Sequence, residues 1–242
     1  MAKRSNAQAK TKAKTQADAQ ADVQNQSTHD APSDTAAQFH FSQDWFSSMQ
    51  SNFDYIFNDI KPRRVLEIGA FEGRSTCYFI EKCASFHDEG VEIVSIDTWQ
   101  GGQEHGDIDM NAAEAAYMHN VQLQVNRFSG VTVTKIKSDS HSAMIKLLAD
   151  GQAGSFDFIY VDGSHEAPDV LFDALLAHRL VKVDGVIGFD DYLWSPDTAP
   201  NHNHYLLVKP AVDHYINTYQ QKVHVVQRLP HFYQLYVIKL SD

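Results

Sequence analysis

The stretch Val65-Leu66-Glu67-Ile68-Gly69-Ala70-Phe71-Glu72-Gly73-Arg74-Ser75-Thr76 decides the fold. Its opening Val-Leu-Glu-Ile reads as a short buried strand. Gly69 then lets the chain turn tightly, and Gly73 lets a helix begin close to its neighbours. A strand, a glycine turn and a helix start in immediate succession mark a doubly wound α/β sheet, whose ligands lie at the carboxyl ends of the strands. The spacing Gly-x-x-x-Gly lacks the third glycine of the dinucleotide fingerprint, which disfavours a nicotinamide oxidoreductase. Taken alone, it also suits an ordinary tight strand–helix turn.

Outward from this segment the pattern is regular. Apolar runs predict further strands over 91–96, 131–136, 156–161 and 186–189, and two more over 222–228 and 233–239. Helical periodicity over 75–86, 112–128, 141–148, 168–180 and 209–219 fills the gaps, and Trp45, Phe46, Met49, Phe53, Ile56 and Phe57 repeat as an amphipathic helix ahead of them. Alternation of this kind predicts a mostly parallel sheet covered on both faces. The last two strands are too close together for a crossover helix, so they should pair antiparallel at one edge.

The chain has 242 residues, enough for one domain with a sizeable core. Residues 1–37 are almost free of large apolar side chains, which predicts a disordered tail ahead of a folded domain over 38–242. Net charge is −11, and because Lys3, Arg4, Lys10, Lys12 and Lys14 sit in the tail, the remainder is more acidic still. Such a domain does not grip nucleic acid broadly through phosphates, although a short basic tail can touch an acidic surface. No apolar run is long enough to span a bilayer, and no apolar stretch follows the basic N-terminus as in a secretory signal. Cys77 and Cys83 are too few for a disulfide framework, which points to a reducing, cytoplasmic setting.

Polar residues gather at the predicted strand ends. Asp97 closes the second strand, where an acid can accept from both hydroxyls of a ribose. Trp99 follows, placed either to stack on a base or to pack in a loop. Asp139 and Ser140 follow the third strand, where they can meet the edge of a base or cap a helix. Asp162 closes the fourth strand, and Asp190 and Asp191 close the fifth. Carboxylates from neighbouring strands repel one another unless a cation or protons compensate, and oxygen donors without cysteine suit Mg²⁺ first, then Mn²⁺ or Ca²⁺. His165 lies three residues after Asp162 and can take a proton near neutral pH. His202, His204 and Tyr205 fall in a long polar segment that reads as a lid or a surface loop, and Glu104 and His105 sit in a glycine-rich loop that can border a pocket.

Taken together, these segments resemble the class I S-adenosylmethionine-dependent methyltransferases. The run 65–73 resembles their first motif, and Asp97 matches their ribose-binding acid. The run 180–194 is similar to the cation-dependent catechol and caffeoyl-coenzyme A O-methyltransferases, with Asp191 where that family usually has asparagine and His165 where it has a catalytic lysine. The Asp162-Gly163-Ser164-His165 run looks more like a broader group that includes macrolide-sugar O-methyltransferases. The resemblance implies a seven-stranded sheet of order 3-2-1-4-5-7-6. It implies cofactor contacts from Glu67, Gly69, Ala70, Phe71, Gly73, Ser75, Asp97, Thr98, Trp99, Asp139, Ser140 and Asp162. It further implies a divalent cation on Asp162, Asp190 and Asp191, catalysis by His165 and Asp162, and a hydroxylated small-molecule acceptor, with a homodimer left open. The alternatives are a cation-independent methyltransferase with His165 as base, and a non-catalytic Rossmann-like interaction domain.

Overall fold

The computed structural model describes residues 38–102, 105–197, 200 and 202–242. The tail expected over 1–37 and the pocket contact expected of Glu104 lie outside the described residues.

Strand β1 (Arg64–Ile68) sits between β2 (Val91–Asp97) and β4 (Phe156–Val161), parallel to both. Strand β3 (Val131–Lys137) pairs with β2, and β5 (Val181–Phe189) with β4, again parallel. Strand β7 (Leu235–Lys239) runs antiparallel to β5 and carries β6 (Val223–Val225) on its outer side. The order is β3-β2-β1-β4-β5-β7-β6, as the resemblance implies, with one reversed hairpin at the edge. The order of connection reverses between β1 and β4, which makes their carboxyl ends the switch point where a ligand cleft opens.

Alternate side chains on a strand face opposite ways, and β1 divides accordingly. Val65 packs among α1 (Gln50–Ile60), α2 (Arg74–Phe86) and α3 (Met110–Val125), in a core rich in aromatic rings such as Phe53, Phe79 and Tyr117. Leu66 and Ile68 pack on the other face among α4 (Ser140–Ala149), α5 (Ala167–Leu180) and α6 (Val208–Thr218). The sheet therefore has helices on both faces. Cys77 and Cys83 are buried in α2 as free thiols. Among the described residues no helix is long and apolar enough to cross a membrane.

Several element boundaries differ from the pattern. Helix α1 begins at Gln50, because Asp44 accepts from the Ser47 N–H in a preceding turn and Trp45 leaves the helical stripe to stack on Phe71. Strand β5 begins at Val181 directly after α5, where Val181 pairs with Phe156. The solvent-facing Lys182, Val183 and Asp184 hide this extension from an apolar-run reading. Strand β6 is only three residues long.

At the switch point Gly69 is indispensable. Its φ is +84°, and a Cβ there would stand 1.8 Å from the Asp162 carbonyl oxygen. Gly69→Ala should therefore lower the unfolding free energy by more than about 2 kcal/mol in urea titration. A loss within about 0.5 kcal/mol, the range of ordinary surface substitutions, contradicts this account.

Candidate active site

The turn after β1 is held from beneath by its neighbours. Gly69 N–H donates to the Ile96 carbonyl at 2.9 Å, and Asp162 N–H donates to the Ile68 carbonyl at 2.8 Å. One Asp97 carboxylate oxygen accepts the N–H groups of Ala70 and Phe71 at 2.8 and 2.9 Å, and the other accepts the Trp99 N–H at 2.7 Å. The acid at the tip of β2 thus shapes the glycine turn as well as bordering the cleft above it. The first oxygen is thereby saturated, and the oxygen that meets Trp99 retains capacity for a further donor.

That cleft has a volume of about 1240 Å³. Gly69, Ala70, Phe71, Ser75, Asp97 and Thr98 border it, and so do Ser138, Asp139, Ser140 and His141 at the end of β3. Asp139 caps α4 by accepting the Ser142 N–H at 2.8 Å, and it also lines the cavity. The reacting end holds Asp162, His165, Asp190, Asp191 and Trp194.

Three residues expected to contact the cofactor do not border the cavity. Glu67 is fully buried, and the hydroxyls of Ser75, Thr76 and Ser95 all donate to its carboxylate, so it ties β1 to α2 and β2 rather than reaching a ligand. Gly73 faces the ring of Tyr117 and the side chain of Val121, where a Cβ would meet them at 3.0 and 3.2 Å, so it serves helix packing. Trp99 is buried beneath the turn, donating from Nε1 to the Phe71 carbonyl at 2.8 Å and lying 5.0 Å from the Tyr117 ring. Trp45 is instead the tryptophan at the cavity beside the glycine turn, stacked 5.2 Å from Phe71 with His105 alongside. Its helical spacing with Phe46 and Met49 concealed that role.

The carboxylate cluster also differs from the expected trio. A ligand atom each from Asp162, His165 and Asp191 converge within 4.8 Å of one another. His165 Nε2 is 3.0 Å from an Asp191 oxygen, and the Trp194 ring lies 4.5 Å from the imidazole. Asp191 adopts φ +51°, with its carbonyl accepting the Trp194 N–H at 2.9 Å. Asp190 turns the other way. The Tyr160 hydroxyl and the Asp191 N–H donate to its two oxygens, and Gln234 and Asn52 extend the buried chain behind Tyr160. Burial, followed by the neighbouring Asp191 charge, raises its pKa to about 6. Asp190 borders the cavity but is already hydrogen-bonded at both oxygens, and His165 completes the trio in its place.

Asp173 was not anticipated. It is 1% exposed in α5, with one oxygen 3.4 Å from His141 Nε2, and burial raises its pKa to about 6. In the segment after β5, Tyr205 lies in a short 3-10 turn (His204–Leu206) and its hydroxyl donates to Glu166, while His202 Nδ1 contacts the Ser195 hydroxyl at 2.8 Å. Neither His202 nor His204 joins the carboxylate cluster.

The profile of a family described as "Methyltransferase domain" matches residues 66–192, more than half of the chain. The chain belongs to this methyltransferase family. The matched span runs from the third residue of β1 to just past Asp191, and so contains the whole strand-end array described above. Caffeoyl-CoA O-methyltransferase of Stellaria longipes is 30% identical over 60% of this chain and 52% of the plant protein. Tapetum-specific methyltransferase 1 of Arabidopsis thaliana is 29% identical over 56% of this chain and 49% of its own. The chain thus spans about half the length of the curated relatives it matches. Among solved structures, the O-methyltransferase TomG of Streptomyces achromogenes, determined with S-adenosylmethionine, superposes with a TM-score of 0.55 at 17% identity, covering 81% of this chain and 82% of that one. The Bacillus cereus O-methyltransferase, in complex with S-adenosylhomocysteine, gives 0.51 at 17% identity over 82% and 84%. At such identities these two likenesses concern the fold.

Burial raises the Glu67 pKa from 4.5 to about 7. The folded protein therefore keeps this proton at pH values where the unfolded chain gives it up. The associated stability is complete below about pH 4.5 and is lost as pH rises to about 7. Across that window the parent should lose about 3 kcal/mol relative to Glu67→Gln in urea denaturation. A difference that stays flat with pH contradicts the assignment.

Proposed function

We propose that this chain transfers a methyl group from S-adenosylmethionine to a hydroxyl of a small molecule, assisted by a divalent cation. The observation that carries the reading is one continuous cavity joining the clamped glycine turn to the Asp162, His165 and Asp191 cluster. Its volume of about 1240 Å³ exceeds that of ordinary single-ligand pockets, which suits a cofactor and an acceptor held side by side. Carboxylates along its wall also suit a cationic donor.

The cofactor supplies an activated methyl on a sulfonium, so no protein nucleophile is required. The chain's own residues bind and orient. Backbone at Gly69 to Phe71 lies under the cofactor, Asp97 accepts from a ribose hydroxyl, and Asp139 and Ser140 meet the base. Asp162 and Asp191, with His165 Nε2 as third donor, would hold the cation. A set mixing one imidazole with carboxylates moves the expectation from Mg²⁺ toward Mn²⁺. Such an ion would position the acceptor hydroxyl and lower its pKa.

The 3.0 Å contact between His165 and Asp191 supports a second reading. Here His165 Nε2–H donates to Asp191, which fixes the imidazole tautomer and stabilises its protonated form, and the other ring nitrogen, Nδ1, takes the acceptor's proton without a metal. The buried free thiols of Cys77 and Cys83 fit the reducing, cytoplasmic setting we assign to either reading.

Calorimetry should detect S-adenosylhomocysteine binding, weakened more than about tenfold by Asp97→Ala, which removes both the turn clamp and the ribose acceptor. No heat at millimolar ligand would sink the proposal. Separately, a chelator should abolish methyl transfer and added Mn²⁺ or Mg²⁺ restore it, with Asp162→Ala inactive under both conditions. Undiminished turnover in chelator, with a loss of about 100-fold or more in His165→Ala, selects the metal-free reading instead.

A further inference from the structure

The charge of the cavity bears on what it accepts. Its reacting side is lined by five carboxylates, those of Asp162, Glu166, Asp169, Asp190 and Asp191. Asp44, Glu72, Asp97 and Asp139 border the cofactor side. Among the described lining residues the only lysine or arginine is Arg74, which lies 3.8 Å from Asp44. The internal residues outside the description, Gln103, Glu104, Thr198, Ala199 and Asn201, carry no basic side chain. Lys209 is engaged elsewhere, donating to the Tyr192 hydroxyl and to Asp213.

On the cofactor side the acids are matched by protein donors. Asp97 takes three N–H groups, Asp139 the Ser142 N–H, and Glu72 the N–H and hydroxyl of Ser42. On the reacting side Tyr160 serves Asp190 and Tyr205 serves Glu166, and both donors are neutral. The histidines bordering the cavity are His165, held by Asp191, His141 at the end of β3, held by Asp173, and His105 beside Phe71. S-adenosylmethionine contributes one net positive charge and a divalent ion two, so the lining stays anionic with both in place. Trp45, Trp194 and Tyr233 add aromatic faces, which attract cations.

Resting on the methyl-transfer reading, we propose that the acceptor is a hydroxylated small molecule bearing a protonated amine, and that anionic acceptors, coenzyme A thioesters included, are rejected. Glu166 and Asp169 are the carboxylates assigned to the amine: both border the cavity, and neither has a lysine or arginine partner in it. Phosphate groups like those of coenzyme A call for lysine and arginine donors, which this lining lacks on its reacting side.

Protein loaded with S-adenosylhomocysteine is titrated calorimetrically with three probes sharing a dihydroxyphenyl ring: dopamine, 4-methylcatechol and 3,4-dihydroxybenzoate. Uptake of S-adenosylhomocysteine tests the cofactor reading on its own, and the order of the three probes tests the charge selection. Dopamine should bind about tenfold or more tighter than 4-methylcatechol at low salt, with dihydroxybenzoate weakest. The gap should shrink in about 0.5 M salt, and Glu166→Gln or Asp169→Asn should narrow it several-fold. Equal affinities, tighter binding of the benzoate, or no binding of dopamine to cofactor-loaded protein overturns the proposal.

Discussion

A Cβ on Gly69 would stand 1.8 Å from the carbonyl oxygen of Asp162. Strands β1 and β4 are in register to Ile68 and Val161, and there the chains leave toward opposite faces, one into α2 and the other toward α5. The backbones stay in contact for one residue more because Gly69 has no side chain. That contact forms the floor of the cavity. It brings the Ala70 and Phe71 N–H groups within reach of Asp97 and sets Asp162 at the centre of the cleft, between the cofactor side and the reacting side.

Around this contact the protein keeps acids where burial opposes their charge. Glu67 and Asp190 have raised pKa values, and each is surrounded by donors from several elements. Glu67 joins β1, α2 and β2 through three hydroxyls. Asp190 joins β5 to β4 through Tyr160, and the chain continues through Gln234 to Asn52 of α1. Engaging Asp190 in this way leaves Asp191 to turn toward His165. Part of the acid excess around the cleft is thus structural, and part is directed into the open volume.

Much of the fold was legible in the chain. The strand–glycine–helix segment, the alternation of apolar runs with helical stripes, and the short link between the last two strands led to a doubly wound sheet with a reversed edge pair. What stayed hidden depended on partners distant in sequence. The Trp45 spacing read as helix because its stacking on Phe71 lies outside any local window. The start of β5 was missed because its polar residues face solvent while Val181 pairs with Phe156. Asp173, 32 positions from its partner His141 in α4, had no local signal at all, since an acid inside a helix ordinarily faces water.

The sequence by itself determined which residues reach the strand ends: Gly69, Asp97, Asp139, Asp162, His165, Asp190 and Asp191 all stand in or beside the loops that period and turn chemistry predict. Local backbone preferences suffice for that. Tertiary structure alone decided what each side chain does there. It buried Glu67 and Trp99, exposed Trp45, and replaced Asp190 with His165 in the converging trio. A loop position specifies where a side chain begins. Its direction follows from which donors, rings and charges the other strands and helices bring within hydrogen-bonding distance.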